Sequence, residues 1–563
     1  MKGTKTICIL SAFALSMAAT LKTDACTNII VTKGASADGS VLVSYAADSH
    51  ALFGELYFAP AADWKSGATR KIYDWDSGRY LGEIPQPAHT YKRVGNMNEH
   101  QLIIAETTFG GRSELHDRNG GIDYGSLIYV ALERCKTARE AITLMTDLAN
   151  EYGYYSDGES FTIADKNEVW VMEMIGKGMV MKNGVNLNKG VVWVARRIPD
   201  GYICAHANQA RITTFPLKDP ENCRYSPDVI TFAKKKGYYD GPDDEFSFAD
   251  AYCPLDFGGM RACEARVWSA FNILSNGWFT SEDENGRMVT KDAYTYIDYA
   301  MGYSTETRMP LYIQPAKKLT VKDIADVMRD HYEGTPLDMT ADMSAGPWGM
   351  PVRPRPMNYT TSDGNTYFME RPIGTQQSGF TLVSQLRSFL PDAVGGIMYF
   401  NCDDASMIAY VPVYCCVNQV PAAFRPENNP HDEFDENGAF WMCNFVANMV
   451  YPRWSAMIGD LREAQDELEN FYAEDQKEVE ARARELTAGE CADYLTAKTI
   501  DYTDRMMKRW DRLARLLIVK HNDQIMQPSE NGAVVPGRRT SPEYAPAFID
   551  AVKDNTGNRY IRP

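Results

Sequence analysis

Several signatures of familiar chemistry are missing from this chain. It has no G-x-G-x-x-G string, no Walker loop, no H-E-x-x-H pair and no G-x-S-x-G elbow, which removes the sequence marks of dinucleotide binding, P-loop phosphate chemistry, zinc hydrolysis and the serine-hydrolase turn. Its 8 histidines are scattered, so neither a zinc site nor a histidine-based triad is suggested. The 12 cysteines include no C-x-x-C pair, and Cys415 and Cys416 are adjacent, so metal-ligand spacing is absent; no metal and no cofactor is expected. Long basic runs are lacking too. With 58 basic against 75 acidic residues and a net charge of -17, the chain has no electrostatic reason to seek nucleic acid or anionic lipid. No stretch after the first 25 residues reaches membrane-spanning length, and there are no internal repeats.

What is present begins at the N-terminus. Lys2 and Lys5 precede an apolar stretch from Ile7 to Leu21, followed by Lys22-Thr23-Asp24-Ala25 and then Cys26. This is the layout of an export signal, with small residues before two cuts, one near Ala18 or Ala19 and one after Ala25. A lipoprotein signal would need an aliphatic residue where Thr23 stands. Segment 1–25 is therefore assigned as signal or propeptide, and the mature protein is expected to be periplasmic or secreted. Eleven cysteines remain after Cys8 is lost with the signal. Disulfides are compatible with that compartment, but spacing does not reveal a pairing.

The mature chain opens with Thr27 to Thr32, rich in β-branched residues, then a Gly- and Asp-containing turn, then Val41 to Tyr45: a predicted β-hairpin. Further strands are expected at 101–107, 160–164, 169–175, 190–195, 202–207, 396–400 and 407–411, with a tight turn at Asp165-Lys166-Asn167. Helical periodicity marks 125–134, 138–150, 262–274 and 321–331. Strand runs broken by helix pairs indicate an α+β layered domain, placed at 26–426. From 427 to 563 the chain reads as mainly helical, with a Pro- and Gly-rich last forty residues expected to wrap the surface. Met506, Trp510, Leu513 and Leu517 in that region are expected to pack on the core rather than on a membrane surface.

A mechanism without histidine is available to a cysteine at a free N-terminus. A thiol with a pKa of about 8.5 is only slightly ionised at pH 7, whereas an α-amino group at about 7.7 to 8.0 is the weakest ordinary amine base. Once Ala25 is removed, amine and thiol belong to one residue, and the amine can take the thiol proton and return it to the leaving group. While any residue remains attached, that nitrogen is an amide and cannot do so.

Cys26-Thr-Asn-Ile-Ile-Val-Thr-Lys-Gly-Ala-Ser-Ala-Asp-Gly-Ser onward to Asp48, Asn96-Met-Asn-Glu-His100, Ala105-Glu-Thr-Thr-Phe-Gly-Gly-Arg112, Ala205-His-Ala-Asn-Gln-Ala-Arg211 and Cys263-Glu-Ala-Arg-Val-Trp268 together resemble the C69 dipeptidases, relatives of the secernins. The resemblance spans roughly Cys26 to Val420. It implies a four-layer αββα N-terminal-nucleophile fold and hydrolysis of dipeptides. The wider superfamily, with the bile-salt hydrolases and penicillin V acylases, further implies that Asp48 holds the new amino group, that Asn208 helps form an oxyanion hole, and that Arg266 lies near the nucleophile. Two positions depart from that pattern. Tyr45 stands where many members carry an arginine, and Thr108 stands where the acylases carry a second oxyanion asparagine.

A dipeptide has two charged ends, so its pocket should offer a carboxylate to the amine and a donor to the C-terminus; Glu106 is a candidate for the first, and Thr108 joins it as a candidate substrate contact. Two rival readings stay open: an amidase for N-acyl or bile-acid conjugates with the same nucleophile, and an exported binding protein with a degenerate site. Assembly into homo-oligomers is also open. The first prediction concerns processing: intact mass or N-terminal sequencing of active, exported protein should find Cys26 as residue one. An active chain beginning earlier, or acylated at its start, would defeat the mechanism.

Overall fold

The structure, a computed structural model, describes residues 26–49, 52, 54–283, 286–353, 358–530, 533–535 and 539–562; the expected export segment 1–25 lies outside them. The β-branched opening forms β1 (Asn28–Val31) and pairs antiparallel with β2 (Val41–Asp48). The other long strands are β3 (Ile103–Gly110), β4 (Gly158–Ala164), β5 (Val169–Gly176), β6 (Val191–Arg197), β7 (Ile203–His206), β8 (Ser378–Leu386), β9 (Gly396–Cys402) and β10 (Val411–Tyr414). They form two antiparallel sheets. A seven-stranded one runs from the short strand Tyr312–Ile313 through β7, β1, β2, β8 and β9 to β10. An eight-stranded one runs from Cys223–Tyr225 through β6, β5, β4 and β3 to three two-residue strands. The α+β class is as expected.

The sheets face one another where β1 and β2 meet β3 and β4. His206 of β7 sits between them, fully buried, with Nδ1 2.7 Å from Thr107 Oγ1 and Nε2 2.7 Å from Thr162 Oγ1. Burial lowers its pKa to about 3, so it is a neutral cross-sheet tie and not a proton carrier. Asn28 adds a second tie, donating to the Glu106 carbonyl at 2.9 Å.

Helices α1 (Tyr124–Arg134) and α2 (Ala138–Tyr152) lie on the eight-stranded sheet. Asp123 caps the first, and Thr137 with Glu140 forms a capping box on the second, which satisfies amides that a helix start leaves without partners. Against the seven-stranded sheet lie α3 (Ala265–Leu274), entered through a π-helical turn at Gly259–Glu264, and α4 (Val321–Val327). The helix expected over 321–331 thus stops early, and Tyr332 takes a positive φ of 67°.

The C-terminal region supplies α5 (Ala439–Val450), α6 (Trp454–Ala483) and α7 (Ala488–Lys520), which cover β9 and β10. Their buried residues belong to the same hydrophobic core as the seven-stranded sheet, and Met506, Trp510, Leu513 and Leu517 are all fully buried in it. Two buried arginines fasten α6 to the strand region: Arg387 forks onto Glu480 at 2.8 and 2.9 Å, and Arg329 pairs with Glu469. The final segment is not all irregular, since Pro546–Thr556 forms a helix.

One strand expectation fails. Residues 407–410 join no ladder; pairing begins at Val411. Side chains capture the carbonyls a ladder would need. Trp510 Nε1 donates to Met407 O at 3.1 Å, Gln465 Nε2 to Ile408 O at 2.6 Å, and Asn401 Nδ2 to Ala409 O at 2.7 Å. The strand β8, in the middle of the seven-stranded sheet, is absent from the sequence expectations. All eleven described cysteines are free thiols.

Trp510 joins α7 to that segment by both area and hydrogen bond. Trp510→Ala should lower unfolding free energy by about 3–5 kcal/mol in urea titration. Arg515→Ala, on the exposed side of the same helix, should cost under about 0.5 kcal/mol. Equal effects would mean that α7 does not dock as described.

Candidate active site

Cys26 precedes β1 and is 6% exposed. An isolated bridge between Thr27 and Ala46 lays the start of the chain along the end of β2, which makes Tyr45 and Asp48 its neighbours. Glu106 and Thr108 approach from β3 in the facing sheet. The Cys26 thiol contacts Glu106 Oε1 at 3.4 Å and the Tyr45 hydroxyl oxygen at 4.0 Å. Tyr45 itself donates to that Glu106 oxygen at 2.7 Å.

These groups open into a cavity of about 510 Å³. Its aromatic wall includes Tyr57, Trp75 and Tyr129, which pack edge to face or tilted against one another. The described lining carries the carboxyl groups of Asp48, Glu55, Asp76 and Glu106 but no lysine or arginine. A cavity of that sign concentrates cations. The donor for a substrate C-terminus expected from sequence is not supplied there by a lysine or arginine of the described lining.

Burial pushes the Cys26 thiol well above its ordinary range; the charges of Glu106 and Asp48 push the same way, and the backbone N–H of Asp48 opposes them. The sulfur therefore carries its proton at neutral pH and needs a base within reach to become a nucleophile.

Asp48 owes its direction to an irregularity in the ladder. Along β2 and β8, Ala47 pairs with Phe380 but Asp48 pairs with Ser378, skipping a residue; bulges of this kind re-aim side chains beside active sites. The carboxylate then accepts from Ser378 Oγ at 2.5 Å and from Arg371 at 3.1 Å. Burial pushes its pKa up to about 6, with Arg371 and Ser378 holding it from rising further.

Arg266 lies behind the cavity wall, fully buried. It donates Nε–H to Ala262 O at 2.7 Å, Nη1 to Cys26 O and Thr27 Oγ1 at 2.8 Å each, and Nη2 to Ala207 O and Asn208 Oδ1 at 3.0 Å each. All five guanidinium N–H groups are used. Asn208 adopts φ 65°, a left-handed conformation that asparagine tolerates. With Oδ1 held by Arg266, its amide nitrogen faces the other way and donates one hydrogen to Thr108 O at 2.7 Å. The amide's second N–H hydrogen remains beyond that bond.

Of the residues singled out from sequence, Cys26, Asp48, Glu106 and Thr108 line the cavity, while Asn208 and Arg266 buttress it from the core side. Arg266 touches the Cys26 carbonyl rather than its sulfur, so its contacts are those of a scaffold. Sequence reasoning missed Arg371, Ser378 and Glu159, whose carboxyl accepts from Thr108 Oγ1 at 2.9 Å. A lone acid in the apolar run 158–164 was the available signal for Glu159. Tyr45 entered only as a departure from a pattern, and its hydrogen bond to Glu106 is what the structure adds.

A sequence model described as peptidase family C69 matches residues 58–467. The chain belongs to that family. This C69 chain is similar to a probable dipeptidase of Salmonella dublin, 24% identical over 430 residues that cover 72% of this chain and 84% of the relative. It is also similar to a probable dipeptidase of Latilactobacillus sakei (23% over 460 residues, 77% and 83%) and to a dipeptidase of Bifidobacterium longum (26% over 308 residues, 54% and 49%). The chain is accordingly a peptidase. The span matched to C69 contains Glu106, Thr108, Asn208 and Arg266 and begins after Cys26 and Asp48.

The position of Asp48 generates a pH prediction. Its carboxyl, pushed up to about 6, gains a proton as pH falls through that value and loses the negative charge it presents beside Cys26. Peptidase kcat/KM should show a further inflection on the acid side near there, added to the fall that protonation of the Cys26 amine produces at higher pH. Asp48→Asn should lower activity and abolish that inflection; an unchanged acid limb in the variant would assign it to another group.

Proposed function

We propose that this C69 peptidase is an exported dipeptidase whose mature chain begins at Cys26, built on the αββα N-terminal-nucleophile plan. Two facing sheets, with α1 and α2 outside one and α3 and α4 outside the other, support that layering. The observation that carries the substrate assignment is a carboxylate, Glu106, 3.4 Å from the candidate nucleophilic sulfur. In a dipeptide the α-nitrogen lies about 2.5 Å from the scissile carbonyl carbon, by ordinary bond lengths. A carbonyl carbon brought to the sulfur therefore carries its ammonium to Glu106. An N-acyl substrate would press alkyl carbon against a buried carboxylate and leave it without a partner, a costly arrangement. The dipeptidase names of the relatives support the same substrate class.

In this reading the ammonium takes Glu106 Oε1 from the thiol, leaving the Cys26 amine as the base in reach. Asp48, anchored by Arg371 and Ser378, orients that amine. The amine accepts the thiol proton as sulfur attacks the carbonyl carbon. Asn208, its amide orientation held by Arg266 and Thr108, has one N–H left to offer the developing oxyanion from behind the cavity wall; one such donor is typically worth about 3–4 kcal/mol of barrier. Collapse of the tetrahedral intermediate breaks the C–N bond, and the Cys26 ammonium protonates the departing amine. Water then hydrolyses the thioester, with the same amine as base.

The test is a substrate panel on mature protein. Free dipeptides with a large apolar first residue should be cleaved, and N-acetylation of the same dipeptides should reduce kcat/KM by roughly 10- to 100-fold, the effect of losing a charge-assisted contact. Cys26→Ala should abolish turnover. Preference for the N-acetylated forms, or activity surviving without the thiol, would refute the proposal.

A further inference from the structure

Behind Glu106 stands a second buried glutamate that the mechanism above does not use. On β3 and β4, Thr108 pairs with Glu159 and Glu106 with Phe161, so Glu159 is the diagonal neighbour of Glu106 on one face of the sheet. Both are almost wholly buried, Glu159 at 1% and Glu106 at 2% exposure. Each has one oxygen with a conventional donor: Tyr45 and the Cys26 thiol serve Glu106 Oε1, and Thr108 serves Glu159 Oε1. Each also has a buried Oε2 that no donor reaches, and the charge of Glu106 acts on Glu159 across that face. Two carboxylates cannot bond to each other; a carboxylic acid and a carboxylate can, through one proton.

We infer that Glu159 is a positioning residue: it holds a proton shared with Glu106 through their Oε2 atoms, so that the pair presents one negative charge, at Glu106, to the substrate ammonium. This rests on the amine-binding role proposed for Glu106. The surroundings say which partner keeps the proton. Burial raises both, but Glu106 Oε1 accepts from both Tyr45 and the Cys26 thiol whereas Glu159 Oε1 accepts from Thr108 alone, so the negative charge is better held on Glu106 and its charge drives Glu159 up. The other titratable groups facing the pair are Cys26 from the seven-stranded sheet side, Tyr45 from β2, Asp76 from the loop after Tyr73, and Tyr124 from α1. Tyr154 after α2 also feels Glu159. These are acids and weak acids, so they favour keeping the proton.

The consequence is a pocket tuned to a monocation. With Glu159 ionised, a doubly charged pair would sit in a buried site at high cost. Without its proton, Glu106 Oε2 would have no donor, and Glu106 would itself protonate and release the ammonium.

Two measurements on the full mature protein test this. Infrared difference spectra of wild type against Glu159→Gln at neutral pH should show a protonated-carboxyl carbonyl band lost in the variant; absence of that band would overturn the inference, whatever the substrate proves to be. In kinetics with free dipeptides, Glu159→Ala should raise KM roughly tenfold with a much smaller change in kcat. Glu159→Gln, whose amide donates where the acid did, should recover most of that loss. A KM as high in the Gln variant as in the Ala variant would sink the proton-donor role. Failure of the wild type to cleave any free dipeptide would instead strike the functional reading and leave the infrared result standing.

Discussion

The site depends on one buried guanidinium. Arg266 reaches from the start of α3 to the carbonyl of Cys26, the hydroxyl of Thr27, the carbonyl of Ala207 and the side chain of Asn208. These acceptors belong to two separate chain segments, and a fifth bond returns to Ala262 in the π-helical turn just before α3. A rigid fork with five donors can do this; a lysine ammonium, with three, cannot. Burying a cation among carbonyl dipoles is costly unless every donor is satisfied, and here every donor is. The position of residue 26 and the orientation of the Asn208 amide are thus two outcomes of one set of bonds.

In front of that frame the electrostatics have the opposite sign. The cavity presents carboxylates and phenols around a protonated thiol. Tyr45 donates a hydrogen bond to Glu106 without adding a positive charge, so the carboxylate stays oriented and available to an incoming cation. An arginine at that place would instead have neutralised Glu106 with an ion pair.

The helical C-terminal region belongs to the same physical unit as the strands. Its apolar face completes a core that runs continuously from Cys26 to Leu517, and Arg329 and Arg387 bind it through buried ion pairs. Side chains from α6 and α7 even take the carbonyls of Met407 and Ile408 that a strand would have used. A sequence pattern can indicate that such a run is apolar and β-branched. It does not indicate that a tryptophan about a hundred residues away will claim its backbone.

By itself, the order of residues determined what is local or repeats at short period. That includes the opening hairpin, the strands around Phe161 and Val171, the capped helices α1 and α2, the apolar stripe of α7, and the presence of a cysteine poised after an export-like segment. Periodicity and capping act within a few residues, so they are readable in one dimension. Tertiary structure alone decided which acids face the sulfur, that Asp48 is anchored by Arg371 more than three hundred residues away, that Arg266 grips backbone rather than thiol, and that Glu106 meets Glu159. The reason is physical. A carboxylate's charge and a side chain's hydrogen bonds depend on neighbours brought in by sheet register and burial, and no local pattern encodes those neighbours.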